Sequence, residues 1–188
     1  MPITYHITDN IHEFTGEFSL SYDKWEKIAD KIEKNFKYGN CVFETYNKKH
    51  IFFLAMNGED IIGILKFKIG GSESFSNPGF SNWVGFMEVN KKYRNKGISK
   101  KLIEMLFEYC AKNNRNILAS GFTVLGHMCL MKKYIELANK YNVEFSYKDC
   151  VEFPDFNNFE GMDEDEYKKY YDDHKNNWEI RNTIINKK

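Results

Sequence analysis

Met87-Glu88-Val89-Asn90-Lys91-Lys92-Tyr93-Arg94-Asn95-Lys96-Gly97-Ile98-Ser99 is the stretch that decides the fold. An apolar run, Asn82 to Val89, reads as a strand with Trp83, Val84, Phe86, Met87 and Val89 spread over both faces. A basic, glycine-containing turn follows, and a helix begins near Ser99. Leu102, Ile103, Leu106, Phe107 and Cys110 then recur at helical spacing, which predicts a buried stripe to about Lys112. A strand, a tight turn and a helix start aim backbone N–H groups at one point, and such a point binds phosphate without a dedicated side chain.

Between Lys91 and Lys101 there are six cations and no acid. A run of this kind is usually a solvated face. Here it sits at a helix start, where cations oppose the helix dipole unless an anion offsets them. Gly97 falls where the backbone turns closely and a Cβ obstructs an approaching ligand. No GxxxxGK(S/T) occurs, and no GxGxxG follows a strand, which excludes the P-loop and leaves a Rossmann dinucleotide site unsupported.

Outward from this stretch, Ile3 to Thr8 reads as a strand. Ser21 or Asp23 can cap a helix reaching Lys37, with Trp25, Ile28, Ala29, Ile32 and Phe36 on one face. Cys41–Tyr46, His50–Met56 and Asp60–Ile69 read as strands, the last two joined by the turn Asn57-Gly58-Glu59-Asp60. Gly70 to Ser81 is a loop. Asn116 to Phe122 is a further strand, Gly126 to Tyr141 a helix with Met128, Met131, Tyr134, Ile135 and Ala138 on one face, and Val143 to Phe153 a strand or hairpin. The fold class is therefore mixed α/β, a mostly antiparallel sheet flanked by helices.

Composition shifts after Pro154. Residues 155–188 carry nine acids and six bases, against eighteen acids and twenty-one bases before them. The chain accordingly divides into a domain over 1–153 and an acidic, aromatic C-terminal extension over 154–188. Tyr167, Tyr170, Tyr171, His174 and Trp178 share one helical face there, so the extension is expected to be helical and to dock on its own domain.

The whole chain of 188 residues has a formal net charge of zero, which argues against nucleic acid or an anionic membrane as partner. No apolar run approaches membrane-spanning length, and the N-terminus lacks a signal-peptide layout. Cys41, Cys110, Cys129 and Cys150 form no CxxC pair, as expected of reduced thiols in a cytoplasmic protein.

At Val89 and Arg94-Asn95-Lys96-Gly97-Ile98-Ser99 the chain resembles the acyl-CoA-binding signature of the GNAT N-acetyltransferases, Gln/Arg-x-x-Gly-x-Gly/Ala after a strand and opening a helix. The order of elements over residues 1–153 resembles theirs as well. Ser99 departs from the usual Gly or Ala, but serine is small and its hydroxyl can cap the helix or donate to a phosphate. The resemblance implies that the amides of Arg94 through Ser99 hold the pyrophosphate of acetyl-CoA. It implies that the strand edge at Met87 and Val89 pairs with the pantetheine arm, and that a main-chain N–H beside a bulge polarises the acyl carbonyl. No metal is implied.

The implied reaction is direct attack of a primary amine, on a small molecule or a protein, upon the thioester. The amine must lose a proton and the departing thiolate gains one. Tyr134 is the candidate acid, where the family often carries a tyrosine; a tyrosine of the apolar helix face with its hydroxyl at the surface is the bland alternative. The position of one family glutamate is Trp83 here. Glu88 is the only carboxylate in either core strand, and so the candidate base; an ion pair with a nearby Lys or Arg is its structural alternative. His127, at the start of the Gly126–Tyr141 helix, is a base by its ordinary pKa but reads more readily as a structural histidine. The acceptor is expected among Phe14 to Trp25, the Gly70–Ser81 loop and Tyr147–Phe153. A non-catalytic CoA-binding module is the alternative function, and a homodimer is compatible with the sequence.

Overall fold

The computed structural model describes residues 2–9, 11, 32, 35–37, 49–70, 82–119, 121–152, 163–175 and 183–188. The expected strand at Cys41–Tyr46, most of the helix before Lys37, and nearly all of the 70–81 loop lie outside them. The chain forms two compact units, residues 1–71 with 82–109, and residues 72–81 with 110–188.

In the first unit, strands β1 (Ile3–Thr8), β2 (Lys49–Asn57), β3 (Asp60–Ile69) and β4 (Trp83–Val89) pair in sequence order, each antiparallel to the next. The β2–β3 hairpin turns at Gly58, whose φ of +64° is open to glycine at little cost. Ile11, Ile32, Phe36, Phe52, Leu54, Met56, Ile61 and Ile64 form one buried cluster. Ile32 and Phe36 are thus the inward face expected of the early helix.

β3 is buried along its length after Asp60, whereas β4 is only part-buried. The sequence marks β4 as the strand covered on both faces, and the difference has a physical reason. Apolar side chains on both faces suit a strand that lies under neighbours and equally one that receives a ligand. The β3–β4 register shifts so that Lys66 faces Phe86 and Phe67 faces Val84, leaving Gly85 as the extra residue of a bulge.

Helix α1 (Ile98–Lys112) buries Ile98, Leu102, Ile103, Met105, Leu106, Phe107 and Cys110. The five residues of the predicted stripe are all included, and each large side chain contributes about 1.5–3 kcal/mol. The helix sits close on β3 because Gly63 has no Cβ. One built there meets Ile98 Cγ2 at 2.9 Å and both Ala55 Cβ and Leu102 Cδ1 at 3.3 Å. Gly63→Val is expected to cost about 1–3 kcal/mol through overpacking. Thermal unfolding should register this as roughly 2–4 °C per kcal/mol at this chain length.

In the second unit, β5 (Ile117–Ala119) runs parallel to β6 (Phe145–Tyr147) through helix α2 (Val124–Tyr141). Thr123 caps α2 by accepting the Gly126 amide at 3.1 Å, and Asn142 ends it in the left-handed conformation. Its buried face carries Val124, His127, Leu130, Met131, Tyr134, Leu137 and Ala138. Met128 and Ile135, expected inside, are part-buried. The face is rotated because a histidine, invisible to an apolar count, occupies it.

The C-terminal segment supplies helix α3 (Glu164–His174), whose Tyr167 packs with Val124 and Val151. It then adds a strand the sequence does not announce, β7 (Thr183–Ile185), antiparallel to β6. Among the described residues, Cys110 and Cys150 are buried and Cys129 is exposed, all as free thiols. Burial pushes the Cys110 thiol up to about 12, against a smaller opposing pull from Arg115, so it stays protonated and inert. No helix among the described residues is long and apolar enough to cross a membrane.

Candidate active site

β4 delivers the chain into the phosphate turn. The Asn90 amide donates to the Ile62 carbonyl at 2.9 Å. By the alternation of an antiparallel ladder, Glu88 also turns its N–H to β3, while the N–H groups of Met87 and Val89 are directed away from it. A single 3₁₀ turn, Lys91–Tyr93, follows, capped by the Asn90 side chain on the Lys92 amide at 3.0 Å. The Asn90 side-chain amide also donates to the Asn35 carbonyl at 3.0 Å, and Tyr93 receives the Asn57 amide at 2.9 Å.

The turn closes through two left-handed residues, Asn95 at φ +61° and Gly97 at φ +76°. Ile98, 2% exposed, anchors the start of α1, and the Gly97 carbonyl accepts the Lys101 amide at 3.0 Å. The first amides of α1 after Gly97 precede any intrahelical partner, so they face outward as donors. Among the described residues beyond its chain neighbours, a Cβ on Gly97 meets nothing within 4 Å, so the space beside the turn is open to them. Open space, outward amides and left-handed backbone together suit a pyrophosphate.

The side chain of Arg94 turns back instead of outward. Its Nε donates to the Val89 carbonyl at 3.1 Å, and its guanidinium lies 3.8 Å from Glu88 Oε1. The same carboxylate oxygen accepts the Lys37 amide at 2.8 Å. Glu88 is therefore a brace between the end of β4, the turn and the Lys37 segment, which is the ion-pair arrangement weighed as its structural alternative. Of the other turn cations, Lys101 pairs with Glu104 at 3.2 Å, and Lys92, Lys96 and Lys100 are exposed. Ser99 is part-buried.

In the second unit, Tyr134 is 1% exposed, stacked on Phe145 at 5.4 Å between ring centroids and edge-on to Phe122 at 5.8 Å. Burial pushes its phenol well above the ordinary range, so it remains a neutral hydroxyl. Its hydroxyl does not reach the surface, as the bland alternative supposed.

One group was not legible as a site residue. The Glu152 amide donates to the Phe122 carbonyl at 2.8 Å, just beyond β5. Its carboxylate lies over Gly121, where a Cβ comes within 2.6 Å of Oε1. Glu152 is exposed, and partial desolvation of its carboxylate pushes this carboxyl up, against a smaller lowering by Lys148. Glu152 lies within the Tyr147–Phe153 stretch where the acceptor is expected. The available signal was Gly121, since a glycine at a strand end marks the close approach of another group. Tyr147 stacks on Phe145 at 5.3 Å; Phe14 to Trp25 lie outside the described residues.

A model of the acetyltransferase (GNAT) family matches residues 11–122, more than half of the chain. The chain belongs to this family. The GNAT match spans both the signature turn and β5. Similar solved structures include a predicted acetyltransferase with acetyl-CoA from Clostridium acetobutylicum, at 12% identity and TM-score 0.44, covering 74% of this chain and 88% of that one. A glucosamine-6-phosphate N-acetyltransferase from Arabidopsis thaliana is 14% identical with TM-score 0.42, covering 69% and 90%. An aminoglycoside acetyltransferase from an uncultured soil metagenomic sample is 19% identical with TM-score 0.40, covering 62% and 77%. No curated protein matches the chain.

Proposed function

We propose that this GNAT protein is an N-acetyltransferase that moves the acetyl group of acetyl-CoA to a primary amine of a small molecule or protein. The observation that carries the proposal is the turn from Arg94 to Ser99, with Gly97 at φ +76° opening onto the start of a long helix. The amides of Asn95, Lys96, Gly97, Ile98 and Ser99 hold the pyrophosphate; the Arg94 amide, expected among them, instead donates to the Lys91 carbonyl at 3.4 Å and closes the 3₁₀ turn. The outward N–H groups of Met87 and Val89 pair with the pantetheine arm, and one of them polarises the acyl carbonyl.

Bound acetyl-CoA supplies an acyl carbon activated as a thioester. As the amine nitrogen bonds to that carbon and the C–S bond breaks, one proton leaves nitrogen and one reaches sulfur. Glu152, an exposed carboxylate made more basic by partial desolvation, takes the first. Tyr134 donates the second, as a hydroxyl kept neutral by burial. Glu88 holds the turn in shape through Arg94.

The enclosure of Tyr134 favours one second reading, a CoA-binding module without turnover. Tyr134→Phe separates the two. An acid role predicts kcat lower by about a hundredfold, the low end for such groups because a raised phenol is a reluctant donor, with KM for acetyl-CoA unchanged. The proposed function is tested by CoA thiol release with diamines, amino sugars and peptides bearing free amino groups. Acetyl-CoA binding without acetylation of any of these amine classes would support the non-catalytic module.

A further inference from the structure

His127, Asp149 and His174 converge from three separate segments of the second unit: the first turn of α2, the loop after β6 and the end of α3. One ligating atom from each lies within 4.8 Å of the other two. His127 Nε2 stands 2.8 Å from Asp149 Oδ1, and the two imidazoles are 5.1 Å apart.

The hydrogen bonding around the rings decides what they can do. His174 Nδ1 lies 2.8 Å from the Tyr170 carbonyl oxygen. That oxygen can only accept, so Nδ1 carries the hydrogen and Nε2 keeps its lone pair. His127 Nδ1 lies 2.6 Å from the Tyr170 hydroxyl. Its Nε2 is buried and faces Asp149 Oδ1. The Tyr170 hydroxyl can donate or accept, so His127 either gives Nε2–H to Asp149 or, as the other tautomer, turns its Nε2 lone pair toward that carboxylate, an arrangement that a shared cation stabilises.

Tyr170 thus orients both imidazoles, one through its hydroxyl and one through its carbonyl. Metal-binding histidines are held by outer partners of this kind.

We propose that His127 Nε2, His174 Nε2 and an oxygen of Asp149 bind a divalent transition metal of the zinc class. Two imidazoles and a carboxylate suit zinc over calcium or magnesium. Zinc–nitrogen and zinc–oxygen distances are about 2.0–2.2 Å, so the three atoms must draw together slightly. The exposed Asp149 and half-buried His174 can do so by small rotations. Three protein ligands leave a fourth position for water. The bound ion clamps α3 to the start of α2, beside the apolar contact of Tyr167 with Val124 and Val151.

The test uses the full chain, stripped with a chelator and titrated with Co²⁺ while its visible absorption is followed. One equivalent should bind with the strong bands of a low-symmetry site and be displaced by Zn²⁺, and Zn²⁺ should raise the melting temperature. His174→Gln and Asp149→Asn, both away from the buried core, should each weaken Co²⁺ binding by at least about tenfold. No bound cobalt in the wild type, or cobalt held as tightly by either variant, overturns the proposal. The cluster is then a hydrogen-bonded dock for α3 alone.

Discussion

Gly97→Glu is expected to raise the Kd for acetyl-CoA by about a hundredfold or more, since juxtaposed like charges cost several kcal/mol. The substitution puts a carboxylate into the open space beside the amides of the turn. Among the described residues beyond its chain neighbours, no heavy atom lies within 4 Å of a Cβ at this position, so they have nothing to repack. The backbone is a separate matter. Gly97 has φ +76°, and a side chain in that conformation costs about 1–2 kcal/mol. Gly97→Ala measures this strain together with the obstruction of one methyl group, without the charge, and should weaken binding less. Calorimetric titration of both variants distinguishes charge from strain. Equal losses would mean that the turn is damaged mechanically, and no loss in either would mean that the phosphates bind elsewhere.

Glu152→Gln is expected to lower kcat by about a hundredfold or more, within the range of positioned general bases, while leaving acetyl-CoA affinity near wild type. The carboxylate, not the acid, receives the proton, and partial desolvation raises the carboxyl above its ordinary value. Activity should therefore fall as pH drops through that raised value, and the Gln variant should lose this limb of the kcat profile. Gly121→Ala offers an independent check. The new methyl group comes within 2.6 Å of Oε1 and must displace the carboxylate while keeping its charge. A Gln variant with full turnover and an unchanged pH profile would return the proton to water or another group.

The parts of the fold readable from sequence are those built from local rules. Leu102, Ile103, Leu106, Phe107 and Cys110 recur at a helix's own period, and all five are buried. Gly58 and Gly97 stand where the backbone takes positive φ. Strand β1 has the bounds its apolar alternation suggests, and β2 and β3 differ from theirs by a residue at most. The three-residue strands β5, β6 and β7 are too short to carry a period, so the expected bounds after Asn116 and Val143 were too long and β7 went unseen.

The site divides in the same way. The phosphate turn is contiguous in sequence, and its shape follows from a few adjacent residues. That Arg94 folds back on Val89 and Glu88 is decided by contacts the motif does not contain. Glu152 reaches Gly121 across 31 positions, and His127, Asp149 and His174 come from three segments with no recurring spacing. Groups joined only by tertiary folding leave no pattern along the chain.

The most direct test of acetyl-CoA binding is the melting temperature of the full chain with and without excess acetyl-CoA, with free CoA and ATP alongside. A ligand at 100 times its Kd adds about 2.7 kcal/mol of stability. The proposed function predicts a clear upward shift with acetyl-CoA and CoA and none with ATP. No shift with either CoA species, or an equal shift with ATP, would contradict it.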